Sequence, residues 1–126
     1  DTNWQVKLFD IDEYGMKKHM LTEDWLKASH RAVDKSRSLP YWPWHDHTRN
    51  MPVTPGKVYE YIIGLAPKSH VFRAGHQVQV QIASMDDTIG GLHVCSSKTT
   101  LHKIYHNPEY PSYILLPVIP AKWAVW

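Results

Sequence analysis

From Trp4 to Leu8 the chain alternates Trp-Gln-Val-Lys-Leu, which places Trp4, Val6 and Leu8 on one face of an extended segment. The same period of two recurs downstream. Lys57 to Leu65 puts Tyr59, Tyr61, Ile63 and Leu65 on one side, and Gln77 to Ile82 reads Gln-Val-Gln-Val-Gln-Ile. Such alternation predicts strands with one buried and one wet face. Pro67, Arg73, Ala74 and Gly75 punctuate the connection between these two segments, so Thr54 to Asp87 is expected to form a central, hairpin-like packing layer. Lys98 to His106 alternates again, with Leu101, Lys103 and Tyr105 opposite Thr100, His102 and Ile104. Ser112 to Ile119 predicts a last apolar strand that ends, or lies at an edge, at Pro117.

The joints are turn-rich. Glu13-Tyr14-Gly15 predicts a turn after the first strand, from which Met16 to Leu21 returns as a hairpin partner. Asp10 and Asp12 flank that turn and are expected to be solvated turn carboxylates, because no further acidic ligands follow at calcium-loop spacing. Thr22 to Val33 supports two readings. As a helix, Thr22 caps it and Glu23 pairs with Lys27 at i,i+4. As a strand, Leu26, Ala28 and His30 alternate with Lys27, Ser29 and Arg31.

Residues 34–55 hold Pro40, Pro43, Pro52 and Pro55 around the run Tyr41-Trp42-Pro43-Trp44-His45-Asp46-His47. Prolines at this density exclude a regular helix or a central strand, so a long loop within the domain is expected. Residues 1–120 then form one β-domain, and residues 121–126, Ala-Lys-Trp-Ala-Val-Trp, form an apolar tail that needs a partner surface. Asp1 stands almost inside the first strand, as expected of a fragment or a processed product.

Composition narrows the function classes. The 126 residues suffice for one domain with a core of its own. The formal net charge of +2 is small, and Lys and Arg are scattered, which argues against a nucleic-acid partner. No stretch approaches the roughly 20 apolar residues that span a bilayer as a helix. The single cysteine, Cys95, excludes an intrachain disulfide framework and suits a cytoplasmic or a secreted chain.

Candidate chemistry is sparse. Nine histidines invite a metal reading, sharpest at His45 and His47, which would share a side of a strand. A third ligand is not specified there, and loop histidines without metal are the better reading. His102 and His106 carry little weight, and so do His70 and His76, which read as structural positions of the strand connection. No Gly-x-Ser-x-Gly elbow surrounds Ser84, Ser96 or Ser97, and Cys95 has no nucleophile context. Asp86 and Asp87 are adjacent and diverge on a strand, so they read as turn residues, and Gly90-Gly91 is a bare turn rather than a phosphate loop. No cofactor is implied. Six tryptophans and seven tyrosines leave aromatic contact as the main lead. Tyr41, Trp42 and Trp44 could stack on a carbohydrate or fill an interdomain contact, and the contact reading carries more weight. Trp123 and Trp126 in the tail are the other contact candidates.

Several stretches together carry a family resemblance. Asp1-Thr2-Asn3-Trp4-Gln5-Val6-Lys7-Leu8-Phe9-Asp10-Ile11-Asp12, Leu26-Lys27-Ala28-Ser29-His30-Arg31, Pro55-Gly56-Lys57-Val58-Tyr59, His70-Val71-Phe72-Arg73-Ala74-Gly75-His76, Tyr105-His106-Asn107-Pro108-Glu109-Tyr110-Pro111-Ser112-Tyr113 and Leu116-Pro117-Val118 occur in this order. In that arrangement the chain resembles the C-terminal domain of the X-Pro dipeptidyl-peptidase and cocaine-esterase-like (CocE/NonD) serine hydrolases, over nearly its whole length. The resemblance implies an all-β fold, a jelly-roll β-sandwich of the galactose-binding-like type. It also implies that Leu26 to Arg31 is a strand. The family's jelly roll begins upstream of the opening run, and about six strands are countable here where a jelly roll has about eight. The first strands are therefore expected to be missing and an edge to be open.

The functional expectations follow from the resemblance. The Ser-Asp-His triad of such hydrolases lies in an α/β-hydrolase domain outside the matched region, so no catalytic residue transfers to this chain. The domain is expected to pack against the hydrolase and cap domains of the same or a companion chain, and to contribute to homo-oligomer contacts. The rival readings are a free-standing carbohydrate-binding sandwich and a metal-binding β-protein using His45 and His47.

Overall fold

The computed structural model describes residues 1–84 and 99–120. Its regular core is a three-stranded antiparallel sheet, and the one helical element among the described residues is a single 3-10 turn at Ala28–His30. Strand β1 runs Asn3–Ile11, β2 Lys18–Lys27 and β3 Gln77–Ala83, in the spatial order β2-β1-β3. The described fold is thus all-β, as expected.

Pairing fixes which side chains share a face. Trp4, Val6 and Leu8 lie opposite Leu26, Asp24 and Thr22 of β2, and Val6, Leu8 and Asp10 lie opposite Ile82, Val80 and Val78 of β3. That alternation carries the apolar row read from the sequence. The other face is more polar, with Gln5 and Lys7 opposite Trp25 and Glu23. Both Gln5 and Lys7 are buried. Glu23 compensates them by accepting from Gln5 Nε2 at 3.1 Å and lying 3.9 Å from Lys7 Nζ. A buried charge needs such compensation. The ladder slips once: Leu8 pairs with Thr22 and Phe9 with Met20, so Leu21 is an extra, buried residue of β2.

Thr22 to Val33 is neither wholly helix nor wholly strand. Residues 22–27 belong to β2, where Glu23 serves the sheet rather than pairing with Lys27, and residues 28–30 form the 3-10 turn. Asp1 explains the break. Its carboxylate accepts from the Ser29 amide at 3.0 Å and the Ser29 hydroxyl at 2.5 Å, while Ala28 N–H donates to Thr2 carbonyl at 2.8 Å. Contacts of Asp1 and Thr2 thus turn the backbone out of the ladder where local alternation would have continued it.

The expected hairpin between 57–65 and 77–82 is not formed. Gln77–Ala83 pairs with β1, and residues 57–65 join no ladder. They cross the sheet face instead. Tyr61 packs on Trp4 with ring centroids 5.7 Å apart, Thr22 hydroxyl donates to Ala66 carbonyl at 2.9 Å, and a ring nitrogen of His45 meets Ile62 carbonyl at 2.9 Å. The alternation itself was sound: Tyr59, Tyr61, Ile63 and Leu65 are all partly buried, and only Gly64 joins them in the run. Side chains of other segments take up backbone groups that a ladder would have used. Residues 99–106 and 112–119 are also without strand pairing. The expected buried face of β3 is open: Val78, Val80 and Ile82 are 46%, 40% and 42% exposed.

A second expectation reverses at Asp10. Asp12 is a turn carboxylate, accepting from the amides of Met16 and Lys17 at 2.7 and 3.0 Å, with Gly15 at φ 71° in the turn. Asp10 lies two residues earlier, inside β1, and is only 7% exposed. Its two oxygens face His70 Nε2 at 2.7 Å and His76 Nδ1 at 2.8 Å. A carboxylate accepts, so His70 carries its proton on Nε2 and His76 on Nδ1. The hydrogen bond from His70 outweighs the opposing cost of burial, and with that from His76 it holds the Asp10 carboxyl below its ordinary 3.8.

Two predictions follow. Leu26, 3% exposed, anchors the edge strand; Leu26→Ala should lower stability by about 2–5 kcal/mol in urea unfolding. Asp10→Asn should be less stable than wild type at neutral pH. Because Asp10 is depressed in the folded state, its contribution is complete above 3.8 and fades as pH falls through the folded value. The difference in urea midpoint between the two proteins should therefore shrink below that pH.

Candidate functional site

Two side-chain clusters are candidates for function. The first is the Asp10–His70–His76 group, with His19 close by, its ring centroid 6.0 Å from that of His70. Both imidazoles spend a nitrogen on the same carboxylate. The group fastens the 70–76 connection to β1.

The second is a groove along β2, the edge strand. It is lined by Asp24, Trp25 and Leu26 of the strand, by Trp42, Pro43, Trp44, His45 and His47 of the loop, and by Ile63 and Gly64, around about 290 Å³. The loop is shaped by local polar contacts. Asp34 accepts from Ser36 hydroxyl and amide, Val33 bridges to His45, and Leu39 bridges to Trp42. These contacts double the proline-rich chain back so that Trp42 and Trp44 face β2. Gly64 is required there: a Cβ would stand 2.9 Å from Pro43 Cδ. Trp25, Trp42 and Trp44 all keep exposed surface, and Tyr41 projects further into solvent outside the groove. Arg37 lies over the Trp44 ring, 4.2 Å from its centroid.

The His45-Asp46-His47 run does not converge on a point. The two nitrogens of His45 face the carbonyls of Ala32 and Ile62 at 3.2 and 2.9 Å. Asp46 turns toward Thr48 and Arg49, and its carboxyl lies below the ordinary value because the Thr48 amide and hydroxyl and the Arg49 guanidinium donate to it. His47, at the unusual φ of 52°, meets His30 with 3.2 Å between their Nδ1 atoms. Among the described residues no group of three or more His, Cys, Asp or Glu side chains is arranged to hold a metal ion.

Among the aromatic residues singled out from sequence, Trp42 and Trp44 come together and Tyr41 stands apart. Trp123 and Trp126 lie outside the described residues, as do Asp86, Asp87, Gly90, Gly91, Cys95, Ser96 and Ser97. Sequence reasoning missed Asp24 and Trp25. They sit in the segment with two readings, and only the strand reading brings them to an edge beside the loop.

Comparison with known proteins identifies the family. The family model described as "X-Pro dipeptidyl-peptidase C-terminal non-catalytic domain" matches residues 1–115. The cocaine esterase of Rhodococcus sp. (strain MB1 Bresler) is 31% identical over 81 residues, covering 53% of this chain and 14% of that protein. A protein named as a serine esterase in Mycobacterium bovis (strain ATCC BAA-935 / AF2122/97) is 27% identical over 124 residues, 94% of this chain and 19% of that protein. A Mycobacterium tuberculosis (strain CDC 1551 / Oshkosh) counterpart matches at the same identity and coverage. The chain thus spans less than a fifth of the length of these relatives. No solved structure matches it. The sequence motifs, the all-β core and the match across residues 1–115 agree, and the chain belongs to the family of C-terminal non-catalytic domains of X-Pro dipeptidyl-peptidase type.

Proposed function

We propose that this chain is the non-catalytic β-sandwich of a serine hydrolase acting on Xaa-Pro peptides, esters or amides, and that it packs against the catalytic α/β-hydrolase and cap domains. The sandwich is of the jelly-roll, galactose-binding-like type. The observation that carries the reading is the uncovered row Val78, Val80 and Ile82. It shares a face with Val6 and Leu8, yet each member keeps 40–46% of its surface exposed. Leu101, Tyr113 and Val118 add further exposed apolar surface. A three-stranded sheet with one such face needs a covering layer, and contiguous apolar surface of this kind marks a contact site. In this reading the cover comes from the parent hydrolase, which brings the triad. The relatives' names, and their much greater length, support that assignment.

The domain's role is then mechanical: it braces the catalytic domain and supplies no reacting group. The purified chain should give no turnover of a nitrophenyl ester or an Xaa-Pro anilide above buffer, and measurable hydrolysis by it would overturn the assignment. In the parent protein, Val80→Asp places a charge at the contact. It should lower the thermal midpoint of the whole hydrolase, while the KM of the remaining folded enzyme stays near that of wild type. An unchanged midpoint would remove the β3 row as the contact.

A further inference from the structure

The groove along β2 lies at the opposite edge of the sheet from the β3 row, and its chemistry is different. We propose that it is a binding site for a small organic cation of the quaternary or methylated ammonium class. Three indoles line it: Trp25 from the strand, and Trp42 and Trp44 from the loop. Indole presents the most electron-rich face of the aromatic side chains, and a methylated ammonium gains from lying against several such faces at once. Trp44 already holds a cation of the chain itself, the Arg37 guanidinium, at 4.2 Å.

The charge balance of the groove favours the same ligand. Among the described residues, Asp24 is the one carboxylate in its lining, and no Lys or Arg lines it. One Asp24 oxygen accepts from the Trp25 amide at 2.7 Å, and neither oxygen is paired with a cation among the described residues. Neither lining histidine bonds to Asp24: the ring nitrogens of His45 lie against backbone carbonyls, and His47 meets His30. A soft cation therefore finds a carboxylate to which no cation is bonded among the described residues, beside three indole rings. A neutral sugar would also stack on tryptophan, but it leaves the Asp24 charge unbalanced. A cation that is already weakly hydrated loses little on leaving water.

The site as described is built from β2, the 42–47 loop and Ile63–Gly64. The test is titration of the protein with tetramethylammonium and choline, followed by calorimetry and tryptophan fluorescence. The neutral isostere 3,3-dimethylbutan-1-ol and a panel of oligosaccharides serve as controls. Saturable, enthalpically detectable binding of both cations is expected, at least about fivefold tighter than the neutral isostere. Asp24→Asn keeps the side-chain shape and should weaken the cations by a similar factor while leaving the isostere unchanged. Trp42→Leu should weaken both, with circular dichroism confirming that each variant is folded. Equal affinity for cation and isostere, saturable binding of a sugar alone, or no saturable binding of either cation to the wild type would each overturn the proposal.

Discussion

The Asp10 carboxylate is the constraint on which the rest of the described fold depends. It lies inside β1, and its two oxygens are taken by histidines six residues apart, His70 and His76. Those two contacts close the 70–76 segment against the sheet. Gly75, at φ 84°, makes the reversal possible; a Cβ there would stand 3.3 Å from Glu13 Cβ. Gln77 follows at once as the first residue of β3, paired with Ile11. A single buried charge therefore sets the register of β3 and the path of the long crossing segment before it. Partial burial raises the energetic stake of each bond, because an unpaired acceptor in that position has little water to turn to.

Much of this was legible in the sequence, though not always as the element it becomes. Alternation placed Trp4, Val6 and Leu8 on one face, and the pairing with β2 and β3 agrees. Alternation also chose the inner side chains of 57–65 correctly while misnaming the element. A period of two reports which side of an extended chain is covered; it does not report what covers it, and here the cover is the sheet face rather than a neighbouring strand. Asp10 was misread for the same reason. Its sequence neighbourhood is a turn, and only a contact 60 residues away reveals it as a buried acceptor. The Asp1–Ser29 contact, which ends β2, is equally non-local. The family resemblance identified the family that the comparison shows, but the strand it implies from Leu26 to Arg31 stops at Lys27, because the Asp1–Ser29 contact is not visible in the motif.

The aromatic loop shows what sequence and structure each contribute. Sequence marked Trp42 and Trp44 by density alone. The fold adds Trp25 and Asp24 from an adjacent strand, turning a conspicuous run into a two-walled groove. It also separates two surfaces that composition had merged. The outer β3 row, Val78, Val80 and Ile82, is aliphatic, suited to being covered permanently by protein. The β2 side is aromatic, with one carboxylate, suited to something that comes and goes.

The hydrogen bond from the Trp25 amide to the Asp24 side chain has a further effect on how the sheet meets other chains. β2 is an outer strand, and an outer strand offers its free amides to any extended peptide that drifts alongside. At Trp25 that amide is already engaged by its neighbour's carboxylate, and a strand approaching here would have to displace a charge to gain one bond. The sheet is thereby discouraged from growing by self-association on this side. At that point of the edge what remains accessible is side-chain surface, which can select a ligand by shape and charge instead of accepting any backbone.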